Sequence, residues 1–156
     1  MPAEASPDAF QYALKLLSGR QRSGKQLARR LRQQGFGPAD VERAIKRLTN
    51  LNLLNDLAYA ERFKEDWMQR RPGGRRLLCL ELRKRGFGRE IVQKLSEGVS
   101  DEDERKCAAD VVERCRMRFR HLPPEKQKKR IYDSLLRRGF NFEIAHELTN
   151  TYDANE

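Results

Sequence analysis

The hexapeptide Leu82-Arg83-Lys84-Arg85-Gly86-Phe87 lies near the middle of the 156-residue chain and has two close relatives in it. They are Leu31-Arg32-Gln33-Gln34-Gly35-Phe36 and Leu135-Leu136-Arg137-Arg138-Gly139-Phe140. Each has the pattern of a helix end, in which Leu faces the core, mostly basic residues fill the last turn, and Gly takes the left-handed conformation that stops the helix. The three glycines are 51 and 53 residues apart, which indicates an internal repeat.

Apolar residues flank each hexapeptide at the helical spacing of three and four residues. One amphipathic run precedes the helix that ends in the hexapeptide, and another follows it. No run alternates apolar and polar residues as a strand would. The sequence therefore predicts an all-α protein, an elongated tandem array of three three-helix repeats with about nine helices. The inward positions of the middle helices are predicted to be Leu27, Leu31, Leu78, Leu82, Ile131 and Leu135, and Trp67 is predicted to be buried against the fifth helix.

Capping and turn residues set the predicted boundaries. Ser6-Pro7 is the predicted start of the first helix, because Ser is a frequent N-cap and Pro is tolerated at the first helical position. Further caps are predicted at Ser23, at Asn55 or Asp56, at Ser100 and at Asn141. We expect a disordered tail at 1–5, helical repeats at 6–50, 55–98 and 100–150, and a frayed tail at 151–156.

The composition favours small cores. Hydrophobic residues make up 38% of the chain and charged residues 36%, which suits a stack of units that each bury little. No apolar stretch reaches the roughly twenty residues of a membrane span, and the first residues lack the pattern of a secretory signal. Cys79, Cys107 and Cys115 are odd in number and fall on apolar stripes, so we expect free buried thiols in the cytoplasm. The expected state is monomeric.

The charge of the chain is strongly positive and unevenly distributed. The formal net charge is +10 at pH 7. Basic residues concentrate in segments 20–47, 62–94 and 114–138, whereas segment 95–104 contains five acids and no base. Such a chain attracts polyanions, of which nucleic acid is the usual one. The alternative is that the basic side chains merely solvate helix faces.

The densest basic cluster surrounds Pro72-Gly73-Gly74. We expect exposed backbone N–H groups at this helix start to add to the attraction for anions, the alternative being a solvated loop. The candidate residues for contact with a partner or nucleic acid are Arg70, Arg71, Arg75, Arg76, Arg83, Lys84, Arg85 and Arg89 in this region, together with Arg29, Arg32, Lys128, Lys129, Arg130, Arg137 and Arg138.

Nothing in the sequence predicts an enzyme. His121 and His146 have no Cys or acidic residue at metal-ligand spacing. Phosphate-binding loops of the P-loop kind and nucleophile elbows are absent from the sequence. The consecutive acids at 101–104 point in different directions and are interpreted as a helix start. We expect no catalytic residue, no metal and no cofactor.

A further pattern runs through the first two repeats in order. The first repeat has Ala13-Leu14, Leu17-Ser18, Arg22-Ser23, Leu27 and Leu31. The second has Leu51 to Leu54, Asn55-Asp56, Tyr59-Ala60, Phe63, Gly73 or Gly74 with Arg75-Arg76, and Glu81 to Phe87. This ordered set resembles the RecX family of recombinase regulators, and the resemblance extends over about residues 8–150.

The resemblance implies a function. Proteins of this family bind RecA, the ATP-dependent strand-exchange protein, when it is polymerised on DNA, and they inhibit its ATPase and recombinase activities and limit filament growth. It also implies a role in DNA repair, recombination and the SOS response, with weak non-specific binding to DNA and no cofactor. We hypothesise that the chain lies in the filament groove. Two alternatives remain, a tandem helix-turn-helix protein that acts on DNA directly and a structural adaptor without nucleic acid.

Overall fold

A computed structural model describes residues 8–70 and 72–151, and this part of the chain contains nine helices and no strand. None of these helices combines the length and the apolar content that crossing a membrane requires. The predicted tail at 1–5 and all of the predicted tail at 151–156 except Thr151 lie outside the described residues. The helices are α1 (Ala9–Gly19), α2 (Gly24–Gln33), α3 (Pro38–Asn50), α4 (Asp56–Arg70), α5 (Arg75–Lys84), α6 (Arg89–Glu97), α7 (Asp101–Phe119), α8 (Pro124–Arg137) and α9 (Phe142–Asn150).

The three repeated hexapeptides end α2, α5 and α8 in the same way. Gly35, Gly86 and Gly139 have φ values of 101°, 83° and 81°. In each copy the N–H of Phe donates to the carbonyl of the Leu five residues earlier at 3.2 Å, and the N–H of Gly donates to the carbonyl three residues earlier. These two bonds define the Schellman motif. The helix ends predicted from the sequence are therefore confirmed.

Capping side chains begin several helices where the sequence predicts them. Ser23 forms a full capping box with Gln26 at the start of α2, and Asn55 and Asn141 accept from the N–H groups of Ala58 and Ile144. The first helix differs from the prediction. Its cap is Asp8, whose carboxylate accepts from the N–H of Gln11 at 2.7 Å, and the predicted start at Ser6-Pro7 lies outside the described residues.

Three separate cores hold the array together, one for each group of three consecutive helices. The main helix–helix contacts lie within these groups. All six inward positions predicted for the middle helices are buried, and Trp67, 6% exposed, shares its core with Leu78 and Leu82 of α5.

The three cysteines are free thiols, as expected, but they differ in burial. Cys107 and Cys115 are buried in the third core, whereas Cys79 is only half-buried. Desolvation by burial raises the pKa of the Cys107 thiol, with a smaller contribution from Asp110. A buried thiol with a raised pKa is a poor nucleophile, so Cys107 has the character of a core residue.

Candidate partner-binding surface

The first and second repeats meet where α2 begins and α5 ends. The Ser23 hydroxyl donates to the carbonyl oxygen of Arg85 at 2.6 Å. Next to it, the N–H of Gly24 donates to Oδ1 of Asp56, at the start of α4, at 2.9 Å. Burial raises the pKa of the Asp56 carboxyl, and the hydrogen bond from Gly24 opposes that shift. The N-cap and the first residue of α2 are thus both bound by the second repeat.

The second and third repeats meet in the same manner where α5 begins and α8 ends. The N–H of Gly74, the N-cap of α5, donates to the carbonyl oxygen of Arg138 at 2.8 Å. The N–H of Arg75, the first residue of α5, donates to Oε1 of Glu104 at 2.9 Å. Glu104 comes from the first turn of α7 and is 3% exposed. Both joints therefore use an N-cap donor to a helix-end carbonyl and an adjacent N–H donor to a carboxylate.

These joints place the three middle helices one after another. The end of α8 meets the start of α5, and the end of α5 meets the start of α2. Each of the three middle helices carries exposed basic side chains. We call this set the basic row, and it comprises Arg29 and Arg32 on α2, Arg76, Arg83 and Lys84 on α5, and Lys129, Arg130 and Arg137 on α8.

Two of the predicted contact residues belong to the second joint. The Arg75 side chain, 33% exposed, pairs with Asp101 and with Glu104, and its Nε donates to the carbonyl of Val99 at 2.9 Å. Arg138 is half-buried, and its Nη1 lies 3.5 Å from the carbonyl oxygen of Pro72. The acidic segment that the sequence places between the second and third repeats thus holds Arg75.

The expectation that backbone N–H groups at Pro72-Gly73-Gly74 are exposed and attract anions is wrong. All three residues are buried, and the N–H groups of Gly74 and Arg75 are already donated to Arg138 and Glu104. A Cβ on Gly74 would overlap the backbone of Gly139, and one on Gly73 would lie 2.7 Å from the Trp67 ring. The two glycines are needed because two backbones and an indole ring approach them closely.

A cleft of about 940 Å³ lies beside the first joint. Its aromatic wall is formed by Tyr59, Phe63 and Trp67 of α4. Arg85 lies with its guanidinium carbon 4.1 Å from the centre of the Phe63 ring, and its Nε is buried without a hydrogen-bond partner among the described residues. The charged residues of the cleft have both signs, namely Arg20, Arg62, Arg70 and Arg85 with Glu65, Asp66 and Glu81.

The remaining predicted contact residues are scattered. Arg70 is exposed at the end of α4, 3.9 Å from Asp66, and Arg89 is exposed at the start of α6. Lys128 on α8 is half-buried. Arg71 lies outside the described residues. The structure therefore leaves eight of the predicted residues exposed on the three middle helices and assigns Arg75 and Arg138 to a joint.

Sequence reasoning missed the joints themselves. Ser23 was recognisable only as a cap, and Asp56 and Glu104 only as acids in the first turn of a helix. The available signal was the coincidence, in successive repeats, of a small N-cap residue in one unit with an acid at the start of the next unit. Hydrogen bonds over 62 and 29 residues of sequence separation join these positions, and local periodicity does not reveal such bonds.

Comparison with known proteins gives consistent results along the chain. The family profile described as RecX, first three-helix domain, matches residues 9–48. The regulatory protein RecX of Trichlorobacter lovleyi is 34% identical over 146 residues, covering 90% of this chain and 93% of the relative. That of Chlorobaculum tepidum is 30% identical over 141 residues, covering 89% of this chain and 84% of the relative.

A solved structure agrees in fold over nearly the whole chain. The crystal structure of RecX from Lactobacillus salivarius superposes with a TM-score of 0.83 at 25% identity, covering 94% of this chain and 95% of that chain. The sequence relatives and the superposed crystal structure both bear the name RecX. This chain belongs to the RecX family of regulatory proteins.

Proposed function

We propose that this chain is a negative regulator of RecA in the cytoplasm, and that it binds along the groove of the RecA filament on DNA. Binding would inhibit ATP hydrolysis, strand exchange and filament extension. The observation that supports the proposal is the basic row, because the two joints connect three helices that each carry exposed basic side chains. A row that spans three repeats suits a target that itself repeats.

The energetics of such a surface favour a polymer over a single site. Individual exposed ion pairs contribute only about 0–1 kcal/mol, so each repeat alone would bind weakly. Three linked repeats turn the second and third contacts into intramolecular events with a high effective concentration. Occupation of the groove would then keep a second DNA molecule out and hinder the exchange of recombinase subunits.

One observation favours a second candidate, direct binding to duplex DNA. In the first repeat α2 ends at Gln33 and α3 begins at Pro38, and Gly35 lies in the short turn between them. Two helices joined by a short turn with Gly are typical of helix-turn-helix modules. In that case α3 would be the helix that enters the major groove. Its exposed basic side chains, among them Arg43 and Lys46, would contact the DNA.

The discriminating experiment measures both activities side by side. RecA is assembled on single-stranded DNA, and its ATP hydrolysis is followed as this chain is added. Binding of the chain to bare duplexes is measured over a range of salt concentrations. Our proposal predicts inhibition at chain concentrations below that of RecA, with duplex binding that is weak, independent of sequence and lost with salt. Tight binding to one duplex sequence without effect on RecA would favour the second candidate.

A further inference from the structure

The first repeat carries one half of such a joint, and none of the residues described by the structure (8–70 and 72–151) binds to it. In the second repeat a Cβ on Gly86 would lie 3.0 Å from the Ser23 hydroxyl, and in the third repeat a Cβ on Gly139 would overlap the backbone of Leu77. In both cases the neighbour is the start of a middle helix from the preceding repeat. Gly35 has the same left-handed conformation, but in the described part of the chain no atom lies within 4 Å of its Cβ position.

Two further features distinguish this open end from its filled counterparts. Phe36 is half-buried, whereas Phe87 and Phe140, which occupy the same position in the Schellman motif, are 5% and 0% exposed. Beside Phe36 lies a cleft of about 520 Å³, lined also by Asp8 and Ala9 at the start of α1 and by part of α3. The cleft contains two acids, Asp8 and Asp40. Asp8 is the N-cap of α1 and uses Oδ1 for the N–H of Gln11, so its second carboxylate oxygen corresponds to the acceptor that Asp56 provides at the start of α4.

The other end of the array does not provide the complementary half. The middle helix of the third repeat, α8, has Pro123 as its N-cap and Pro124 as its first residue. Proline has no backbone N–H and no hydroxyl. Both donors that the internal joints use are therefore missing, and a second copy of this chain cannot complete the joint at Gly35.

We propose that this open joint, formed by Asp8, Gln34, Gly35 and Phe36, is a docking site for the first turn of a helix of a partner protein. The partner helix would begin with Ser or Gly as its N-cap, followed by a residue with a free N–H. The N-cap would donate to the carbonyl of Gln34, as Ser23 and Gly74 donate to Arg85 and Arg138. The next N–H would donate to the carboxylate of Asp8, and docking would bury Phe36. This inference does not depend on the partner being RecA.

The proposal can be tested with the whole chain alone, by restoring the missing donors at the start of α8 so that one copy can bind to the open joint of another. The variant Pro123→Ser with Pro124→Gly copies the Ser23-Gly24 start of α2 onto α8. We expect it to associate head to tail, so that its mass in sedimentation rises with concentration and the amide resonances of Gln34 to Phe36 shift. The parent chain should remain a monomer under the same conditions. The variant Pro123→Gly with Pro124→Arg copies Gly74-Arg75 and repeats the test if the first variant does not fold.

A second substitution, at Gly35 in the open joint, tests whether the association uses this site. Gly35→Asn is added to the associating variant, because Asn tolerates the left-handed conformation and has open space there in the monomer. It should weaken self-association by roughly tenfold or more while circular dichroism stays unchanged. Absence of any association or amide shift in both folded restored variants at about 1 mM, or association unaffected by Gly35→Asn, would overturn the proposal. Association that needs removal of residues 1–7 would overturn it as well, since those residues would then be the occupant.

Discussion

The Ser23 hydroxyl donates a hydrogen bond of 2.6 Å to the carbonyl oxygen of Arg85 across 62 residues of sequence. The same oxygen accepts from the N–H of Gln26 and so caps α2. One fully buried hydroxyl therefore begins a helix of the first repeat and fastens that helix to the second repeat. Gly74 and Arg138 repeat the relationship between the second and third repeats with a backbone N–H in place of the hydroxyl.

Ser23→Ala should destabilise the chain more than an ordinary loss of a cap. Removing a Ser cap costs about 1 kcal/mol, and the partly buried Arg85 carbonyl left without its donor adds about 1–3 kcal/mol. Ser100→Ala is the matched control, because Ser100 caps α7 through the N–H of Asp103 and is exposed. Urea unfolding of both variants measures the difference, and equal losses of unfolding free energy would contradict the joint at Ser23.

The three repeated glycines should differ in their tolerance of Ala although their backbone conformations are similar. Each substitution costs about 1–2 kcal/mol for the left-handed conformation. Gly35→Ala should cost only this, Gly86→Ala more because of Ser23 at 3.0 Å, and Gly139→Ala most because its Cβ overlaps the Leu77 backbone. Gly86→Val should be worse than Gly86→Ala, since β-branched residues resist positive φ. Melting temperatures in any other order would count against the joints.

Glu104→Ala should loosen the joint between the second and third repeats. Its loss leaves the partly buried N–H of Arg75 without an acceptor and the Arg75 guanidinium with Asp101 as its remaining acidic partner, at a cost of about 1–3 kcal/mol. Glu102→Ala on the same helix is the control, because Glu102 forms an exposed pair with Lys106 that contributes about 0–1 kcal/mol. Chemical denaturation that ranks Glu102→Ala as the more damaging change would refute this assignment.

The raised pKa of Asp56 gives the first joint a definite pH dependence. Burial disfavours the charged carboxylate in the folded chain, so the folded state holds the Asp56 proton to a higher pH than the unfolded state. The contribution of Asp56 to stability is therefore full below its ordinary pKa of about 3.9 and declines as pH rises through the raised folded value. Asp56→Asn removes this titration and should gain stability relative to the parent over that window. Parallel stability curves for the two proteins would exclude the effect.

The sequence predicts most of the local structure because its signals are local. The repeated pattern around Gly35, Gly86 and Gly139 predicts the ends of three helices. The apolar spacing on either side of it predicts the residues of the three cores. The start of the first helix was misplaced because Asp8 competes with Ser6 as an equally good cap. The caps predicted at Ser23, Ser100 and Asn141 are the N-caps of α2, α7 and α9, and of the two residues predicted for α4, Asn55 accepts the capping hydrogen bond.

The surface was harder to predict because its organisation depends on contacts between repeats. The same Gly73-Gly74 pair that would suit an anion site in isolation is filled by the backbone of Gly139. Arg75 belongs by sequence to the basic cluster around Pro72-Gly73-Gly74. In the structure its side chain pairs with Glu104 and is part of the joint. Charge density alone therefore predicted the basic helices and not which of their residues remain exposed.

The most direct test of our account uses charge reversal on and off the basic row, with the ATP hydrolysis of RecA on single-stranded DNA as the readout. Arg76, Arg83 and Lys84 are changed together to Glu, and Arg43, Lys46 and Lys94, which are exposed on α3 and α6, are changed to Glu in the control. Both sets alter the net charge equally. We predict that the first variant loses roughly tenfold or more in inhibitory potency and that the control stays close to the parent. Equal inhibition by all three proteins, or a selective loss in the control, would contradict binding through the basic row.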